Sequence, residues 1–419
     1  MDSEQQKETY NKGVKIGIAI GGLSVLLVCM IAAGIVVSVW FQKKTISERQ
    51  NPTLKLDAEV TDKMNMLLDY MDGTFLYEYD KEALSEKIYA AMLDSLDDPY
   101  SCYYTAEEYR QMMESTNGTF YGMGATVTTN PDTGDIYVVE PYEGSPAEEA
   151  GVMAGDIIRA VDGKEIAGMS SDEVVNLIHG DEGTTVIVTF QRDKERYDAT
   201  IVRRAVDVKT VESFMLDDDI GYIMISHFSA VTYKQFTEAY EKLENEGMKA
   251  VIFDVRANPG GRLDTVNDML DYLLPEGLLV YTVDKKGRRD EFKSDADARL
   301  NIPCAVIANG DSASASEVFC GALQDYGAAE IVGTQTFGKG IVQSIISLYD
   351  GSAIKITVED YYTPNGNNIH GIGITPDIKT ELDADAELYA RFHGFAELVR
   401  EGNDAQLDAA AEYIKSKIN

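Results

Sequence analysis

The stretch Asn309-Gly-Asp-Ser312-Ala-Ser314-Ala-Ser316-Glu317 sets three serines among small residues, and Lys339 follows within Gly338-Lys339-Gly340, with Gln343 four residues on. A serine hydroxyl is a poor nucleophile until a base takes its proton. Lysine serves as that base when neutral, a state favoured by burial and by the absence of a carboxylate partner. No acidic residue lies between Glu330 and Asp350, although the chain carries 71 of them. Gln343 shares a face with Lys339 in either a helical turn or a strand, so it is placed to orient the amine. Together these residues point to a peptidase. The competing structural reading makes Ser314 a plain helix cap and Lys339 a solvated lysine between two turn glycines.

The flanking elements must position this chemistry. Ile302 to Ala308 is continuously apolar and stops at Asn309-Gly310, which reads as a short buried strand. Val318, Phe319, Ala322, Leu323 and Tyr326 then recur at helical spacing, so a helix should start near Ser314, and Ser314-x-x-Glu317 fits a capping box. Free N–H groups at such a start, that of Ala315 included, can stabilise an oxyanion beside the hydroxyl. Upstream, Lys249 to Arg256 is an apolar strand that ends in Ala257-Asn258-Pro259-Gly260-Gly261, by itself only the mark of a tight turn.

Asn-Gly-x-Ser-Ala-Ser-Ala-Ser-Glu, Ala-Leu-Gln-Asp-Tyr-Gly and Val-Gly-x-x-Thr-Phe-Gly-Lys-Gly-x-Val-Gln, read in order, resemble the carboxyl-terminal processing proteases, serine peptidases with a Ser–Lys dyad. The likeness continues from Asp350 through Tyr361-Tyr-Thr-Pro-Asn-Gly to Gly371-Ile-Gly-Ile-Thr-Pro-Asp377. It implies Ser314 as nucleophile, Lys339 as base, Gln343 as its helper, and an oxyanion hole made by Ala315 with Gly260 or Gly261. Arg262 departs from the apolar residue more often found after the double glycine. Alternating strands and helices from Ala205 onward argue an α/β core. The resemblance narrows this to a crotonase-like arrangement, which alternation alone does not distinguish from a doubly wound sheet.

Domain organisation follows from shifts in pattern. Residues 1–15 form a short head, and the uncharged run Ile16 to Phe41 exceeds the roughly 20 residues that span a bilayer. No small-residue cleavage site follows it, so an uncleaved anchor is expected in place of a signal peptide. A linker (42–56) leads to a helical N-terminal segment (57–117). Short strands and turns over 118–204 resemble a PDZ domain, whose glycine-rich loop holds a terminal carboxylate while the next strand edge pairs with the ligand. On that pattern Tyr121, Gly122, Met123 and Gly124 form the loop, and Ala125 and Val127 lie on the pairing strand. The catalytic core occupies 205–381 and a helical segment closes the chain over 382–419.

A net charge of −34 argues against nucleic acid and against general attraction to anionic lipid. Cys102, Cys304 and Cys320 show no paired spacing, so core thiols are expected in place of a disulfide framework. His179, His227, His370 and His393 are isolated, without a metal motif, although His227 or His370 would serve in a Ser–His alternative. No cofactor or metal is expected. The lysines flank the apolar run on both sides and do not choose a topology. The short head and the family's export place the enzyme outside the cytoplasmic membrane. The expectation is a membrane-anchored, ATP-independent serine endopeptidase that takes protein C-termini through its PDZ domain, with a regulatory adaptor and self-association as further partners it admits. A catalytically silent PDZ receptor is the rival from another class.

Overall fold

The computed structural model describes residues 58–131, 133–142, 144–295 and 298–418. The expected head, anchor and linker lie outside the described residues. Among those described, no helix is long and apolar enough to cross a membrane. The chain divides into two compact units, residues 1–81 and 82–419. The first contributes helix α1 (Ala58–Thr74).

The second unit begins one residue into α2 (Lys81–Asp94) and continues with strand β1 (Cys102–Tyr104) and α3 (Ala106–Asn117). Thr105 and Glu108 cap α3 reciprocally, and Gly118 stops it in the left-handed conformation at φ 67°. Strand β2 (Thr119–Gly122) then carries the chain into a small β domain. Its elements are β3 (Ala125–Thr129), β4 (Ile136–Pro141), α4 (Pro146–Glu149), β5 (Ile157–Val161), β6 (Lys164–Glu165), α5 (Ser171–Ile178), β7 (Thr185–Arg192) and β8 (Glu195–Val202). The antiparallel order is β3-β4-β5-β7-β8, which leaves β3 at an edge. Its own core includes Ile136, Val138, Ile158, Val174, Val188 and Phe190. The chain returns through β9 (Arg204–Asp207), which pairs with β2, so two adjacent strands tether both ends of the domain.

The main sheet has the order β10-β11-β12-β15-β16-β19, formed by Val211–Met215, Ile220–Ile225, Ala250–Asp254, Cys304–Ala308, Glu330–Gly333 and Ile378–Lys379. From β11 onward every pairing is parallel. Each parallel strand sits beside its predecessor in this sheet, without the reversal of order that defines a doubly wound sheet. All residues of β12 and β15 are buried, as a parallel sheet covered on both faces requires. One face packs on α6 (Thr232–Asn245), α7 (Leu263–Leu273) and α8 (Ala315–Asp325) through Phe236, Phe253, Leu270 and Phe319. The other, with Tyr222, Ile252 and Ile307, is covered by Val399, Leu407, Ala410 and Ile414. These come from the closing helices α10 (Phe395–Glu401) and α11 (Ala405–Ile418), which follow α9 (Ala384–His393). A second sheet joins β1, β13 (Gly277–Asp284), β14 (Arg289–Ser294), β17 (Ile341–Ser347) and the long β18 (Ala353–Tyr362).

Buried charge ties the closing helices to the sheet. Arg256, just past β12, pairs with Asp254 and with Asp404, all three side chains fully buried. The Tyr222 hydroxyl donates to Asp254 at 2.7 Å, and Arg256 donates to Gln406 at 3.1 Å. The next residue, Ala257, begins the turn that packs against the serine run.

Candidate active site

Strand β15 ends at Ala308, and the chain crosses the end of β12 before α8 begins. Two of the three serines are spent on that crossing. The buried Ser312 hydroxyl donates to Val255 O at 2.7 Å, and the buried Ser316 hydroxyl donates to Asn258 O at 2.9 Å. The Ala313 N–H also donates to Asn258 O, at 3.0 Å, and Asn258 reaches back to Ile225 O at 2.8 Å. The serine run and the Asn258 turn are therefore one stitched unit. Ser314 alone is left half-buried and facing a cleft. Its backbone is held at φ 57° and ψ −115°, a strained conformation for a residue other than glycine.

The cleft encloses about 540 Å³, and its walls include Ser314, Ala315, Gly261, His227, Gln343 and Lys355. The two glycines of the turn differ. Gly260 donates its N–H to Asn258 Oδ1 at 2.9 Å, and its carbonyl accepts from Phe228 at 3.0 Å. Gly261 lines the cleft, and among the described residues neither its N–H nor that of Ala315 donates to a protein acceptor. Arg262 is on the wall with its charge engaged by Asp264.

Glu317 organises the rest. Fully buried, its carboxylate accepts from the Ser314 N–H (2.9 Å), the Thr336 hydroxyl (2.6 Å), the Gly338 N–H (2.7 Å) and the Lys339 N–H (2.8 Å). One carboxylate thus locks the serine turn and the lysine loop into register. The buried Tyr361 hydroxyl adds a second clasp, 2.9 Å from Ser314 O and also hydrogen-bonded to Lys339 O. Burial holds that phenol's pKa well above its usual value, so it remains a donor. The sequence showed Glu317 only as a capping residue and Tyr361 only as part of a shared segment, without a role. Replacing Glu317 with Gln turns an acceptor for four donors into a mixed group, leaving at least one donor unpaired. Such a loss costs about 2–3 kcal/mol. We expect a lowered Tm and a fall in kcat/KM that exceeds what the lost folded fraction explains, checked by thermal unfolding beside steady-state kinetics.

Lys339 is half-buried, and burial, followed by the nearby Lys355 charge, lowers its pKa; Asp98 and Glu317 act in the opposite direction. Its ammonium lies over the Tyr100 ring, 4.8 Å from the centroid. Among the described residues it forms no hydrogen bond or ion pair, so Ser314 and Lys339 are held by a common backbone scaffold without touching through their side chains. Gln343 is on the cleft wall, its amide 3.4 Å from Ile341 O.

The other histidines separate. His227 lines the cleft, and burial lowers its pKa with no charged partner beside it. His370 is exposed, His393 packs on Tyr389, and His179 stacks on Phe120 with centroids 4.9 Å apart. Cys304 and Cys320 are buried free thiols and Cys102 is a half-buried one.

In the small domain, Tyr121 and Gly122 end β2, Met123 and Gly124 form the loop, and Ala125 and Val127 lie on the edge strand β3 beside α5. The Met123 carbonyl accepts from Ala147 and that of Gly124 from Tyr142. Among the described residues the N–H groups of Met123 and Gly124 have no protein acceptor. Gly124 sits at φ 74°, where an added Cβ would lie 2.6 Å from Ser145 Cβ, so the loop needs glycine there.

Comparison with known proteins agrees with this geometry. Residues 219–380 match the model of peptidase family S41, and residues 137–192 match that of the PDZ domain. The chain is 41% identical over 314 residues to a carboxy-terminal-processing protease of Bartonella bacilliformis, covering 72% of this chain and 70% of that protein. It is 36% identical over 329 residues to the carboxy-terminal processing protease CtpA of Bacillus subtilis, covering 78% and 70%. In fold it resembles the crystal structure of an S41 protease of Bacteroides fragilis, with a TM-score of 0.50 and 19% identity over 79% of this chain and 90% of that one. A strained serine at a helix start, facing a cleft lined by a double-glycine turn, in a chain that also carries a PDZ domain, thus has its place: the chain belongs to peptidase family S41 and is a serine-type carboxy-terminal processing peptidase.

Proposed function

We propose that the chain is a membrane-anchored, ATP-independent endopeptidase acting outside the cytoplasmic membrane, with Ser314 as nucleophile and Lys339 as base. The observation that carries the proposal is the shared anchoring of both residues on Glu317, with Ser314 on the cleft wall. The neutral Lys339 amine takes the Ser314 proton, and Oγ attacks the substrate carbonyl. The N–H groups of Ala315 and Gly261 receive the oxyanion, the only turn and helix-start donors facing the cleft that have no protein acceptor among the described residues. The leaving amine departs with a proton, and water releases the acyl group from the enzyme. Gln343 orients the amine once the Lys339 side chain swings from Tyr100 toward Ser314. The monotonic order of the parallel strands supports the crotonase-like reading of the core, and the apolar run 16–41 supports the anchor.

The PDZ domain selects the chain end. The Met123 and Gly124 N–H groups take the terminal carboxylate, Gly122 permits close approach, and the ligand adds a strand along Ala125 and Val127. The test uses one unfolded protein with a free and with an amidated C-terminus. We expect the free form to be cut about tenfold faster, the effect of one charge-assisted hydrogen-bond set of ~1.4 kcal/mol. Equal rates for the two forms, with or without added PDZ ligand, would remove the terminus from recognition.

A further inference from the structure

The cleft contains a lysine that the mechanism leaves unused. Lys355 is on β18, opposite Ile345 of β17 on one side and Cys102 of β1 on the other. Directly paired residues of neighbouring strands share a face, and Lys355, Ile345 and Gln343 all line the cleft with Ser314. The side chain is half-buried, with its ammonium 5.4 Å from the centre of the Tyr104 ring.

Charge makes this position unusual. The other permanent cation on the wall, Arg262, is compensated by Asp264 on the same wall. Burial favours the neutral form of His227. Among the described residues Lys355 has no carboxylate partner, in a chain whose net charge is −34. A half-buried ammonium without a counter-ion has lost solvation that its neighbours do not return. The Tyr104 ring and phenol offset part of that loss, leaving the cleft one positive charge that a ligand can neutralise. Around it the wall is apolar, with Leu263, Val318, Ile341 and Val342. A carboxylate entering there would meet its only strong partner in a weakly screened setting, where charge-assisted hydrogen bonds are stronger than neutral ones.

We propose that Lys355 is a specificity-determining residue, its ammonium receiving a carboxylate of the bound polypeptide close to the bond cut at Ser314. The carboxylate comes from an acidic side chain near that bond or from a chain end threaded into the cleft. Either source is distinct from capture of the terminus in the PDZ loop. The inference rests on the reading of Ser314 as nucleophile.

The experiment uses the full chain in detergent and a peptide that it cuts at one bond. Positions flanking the bond are changed one at a time between Glu and Gln, each peptide is made with a free and an amidated end, and kcat/KM is measured by mass spectrometry. For the wild type, one Glu peptide is expected to exceed its Gln partner by about tenfold, the ~1.5 kcal/mol of a hydrogen bond to a charged group. In K355M that ratio falls to about one, K355R retains most of it, and K355E inverts it in favour of Gln at the same position. If the chain end is the source, the Glu/Gln exchanges have no effect and the free/amidated ratio falls in K355M, whereas an amidation effect that K355M leaves unchanged belongs to the PDZ loop and overturns that source. A wild type indifferent to every exchange and to amidation overturns the proposal. So does a K355M variant that keeps the wild-type ratio, or one that slows all peptides equally while moving the pH profile, since Lys355 would then act on Lys339 alone. Cleavage at the wild-type rate by Ser314→Ala would instead overturn the nucleophile assignment, a result separable from any change in the Glu/Gln ratio.

Discussion

Ser314→Ala and Lys339→Ala each reduce kcat/KM on an unfolded protein by about 10³-fold or more, the loss expected when one member of a nucleophile–base pair is removed. The double variant falls little further, because the two residues act as a unit. Neither change should unfold the protein. The Ser314 N–H donates to Glu317, and this half of the cap on α8 survives removal of the hydroxyl. Lys339 contributes to the scaffold through its N–H, which alanine retains. Its ammonium has no counter-ion among the described residues, so its loss removes a desolvation cost and leaves Tm unchanged or raised. Steady-state kinetics beside circular dichroism checks both parts. Full activity in either purified variant would end the dyad.

The pH dependence separates the two candidate bases. A lysine accepts the serine proton only when neutral, so activity falls as pH drops through the Lys339 pKa. Burial, and then the Lys355 charge, place that pKa below the ordinary 10.5. The sign for stability is the same. Between the lowered folded value and 10.5 the unfolded chain holds the extra proton, so the contribution of this group to stability rises with pH across that window. Below the folded value the cost of burying the ammonium is fully present. His227 also lines the cleft, and burial lowers its pKa from 6.5. An ascending limb below 6.5 that survives in Lys339→Ala would assign the base to His227.

The serine run was legible because its helix start follows from local rules: an apolar strand, a turn at Asn309-Gly310, and apolar residues at helical spacing. Why Ser314 and not its neighbours was not legible, since Ser312 and Ser316 differ only in which carbonyl of a distant strand or turn they reach. The role of Glu317 was hidden in the same way. At three residues from Ser314 it reads as an ordinary cap, and its bonds to Thr336, Gly338 and Lys339 appear only when the lysine loop folds over it. Arg256 reads as the polar end of a strand, yet its partner Asp404 comes from the chain's last segment. The alternation of elements gave an α/β core, whereas the order of its strands depends on pairings that no local pattern carries. The choice between Gly260 and Gly261 turns on N–H partners within the folded turn, which no local pattern carries.

That choice carries the second large effect. Gly260→Ala puts a Cβ at φ 104°, 2.6 Å from Ala313 O, 2.8 Å from Ser314 Cβ and 2.9 Å from Ala315 N. All three contacts belong to the serine turn, and two are backbone atoms that cannot rotate away. The turn must therefore shift, carrying the nucleophile and the Ala315 N–H away from the Gly261 N–H. Loss of one oxyanion donor costs about 10²–10³-fold in kcat, and we expect at least that. Gly261→Ala acts elsewhere, since its Cβ would lie 2.1 Å from Phe228 O and break the bridge between Phe228 and the turn. Its cost should appear first in Tm. A phosphonate probe, whose adduct on Ser314 places an anionic oxygen in the same hole, distinguishes a displaced hole from impaired substrate binding. Slow labelling of folded Gly260→Ala, in parallel with its slow turnover, is the expected result. Labelling at the wild-type rate would mean that the hole is intact and that Gly260 serves only to admit the substrate chain.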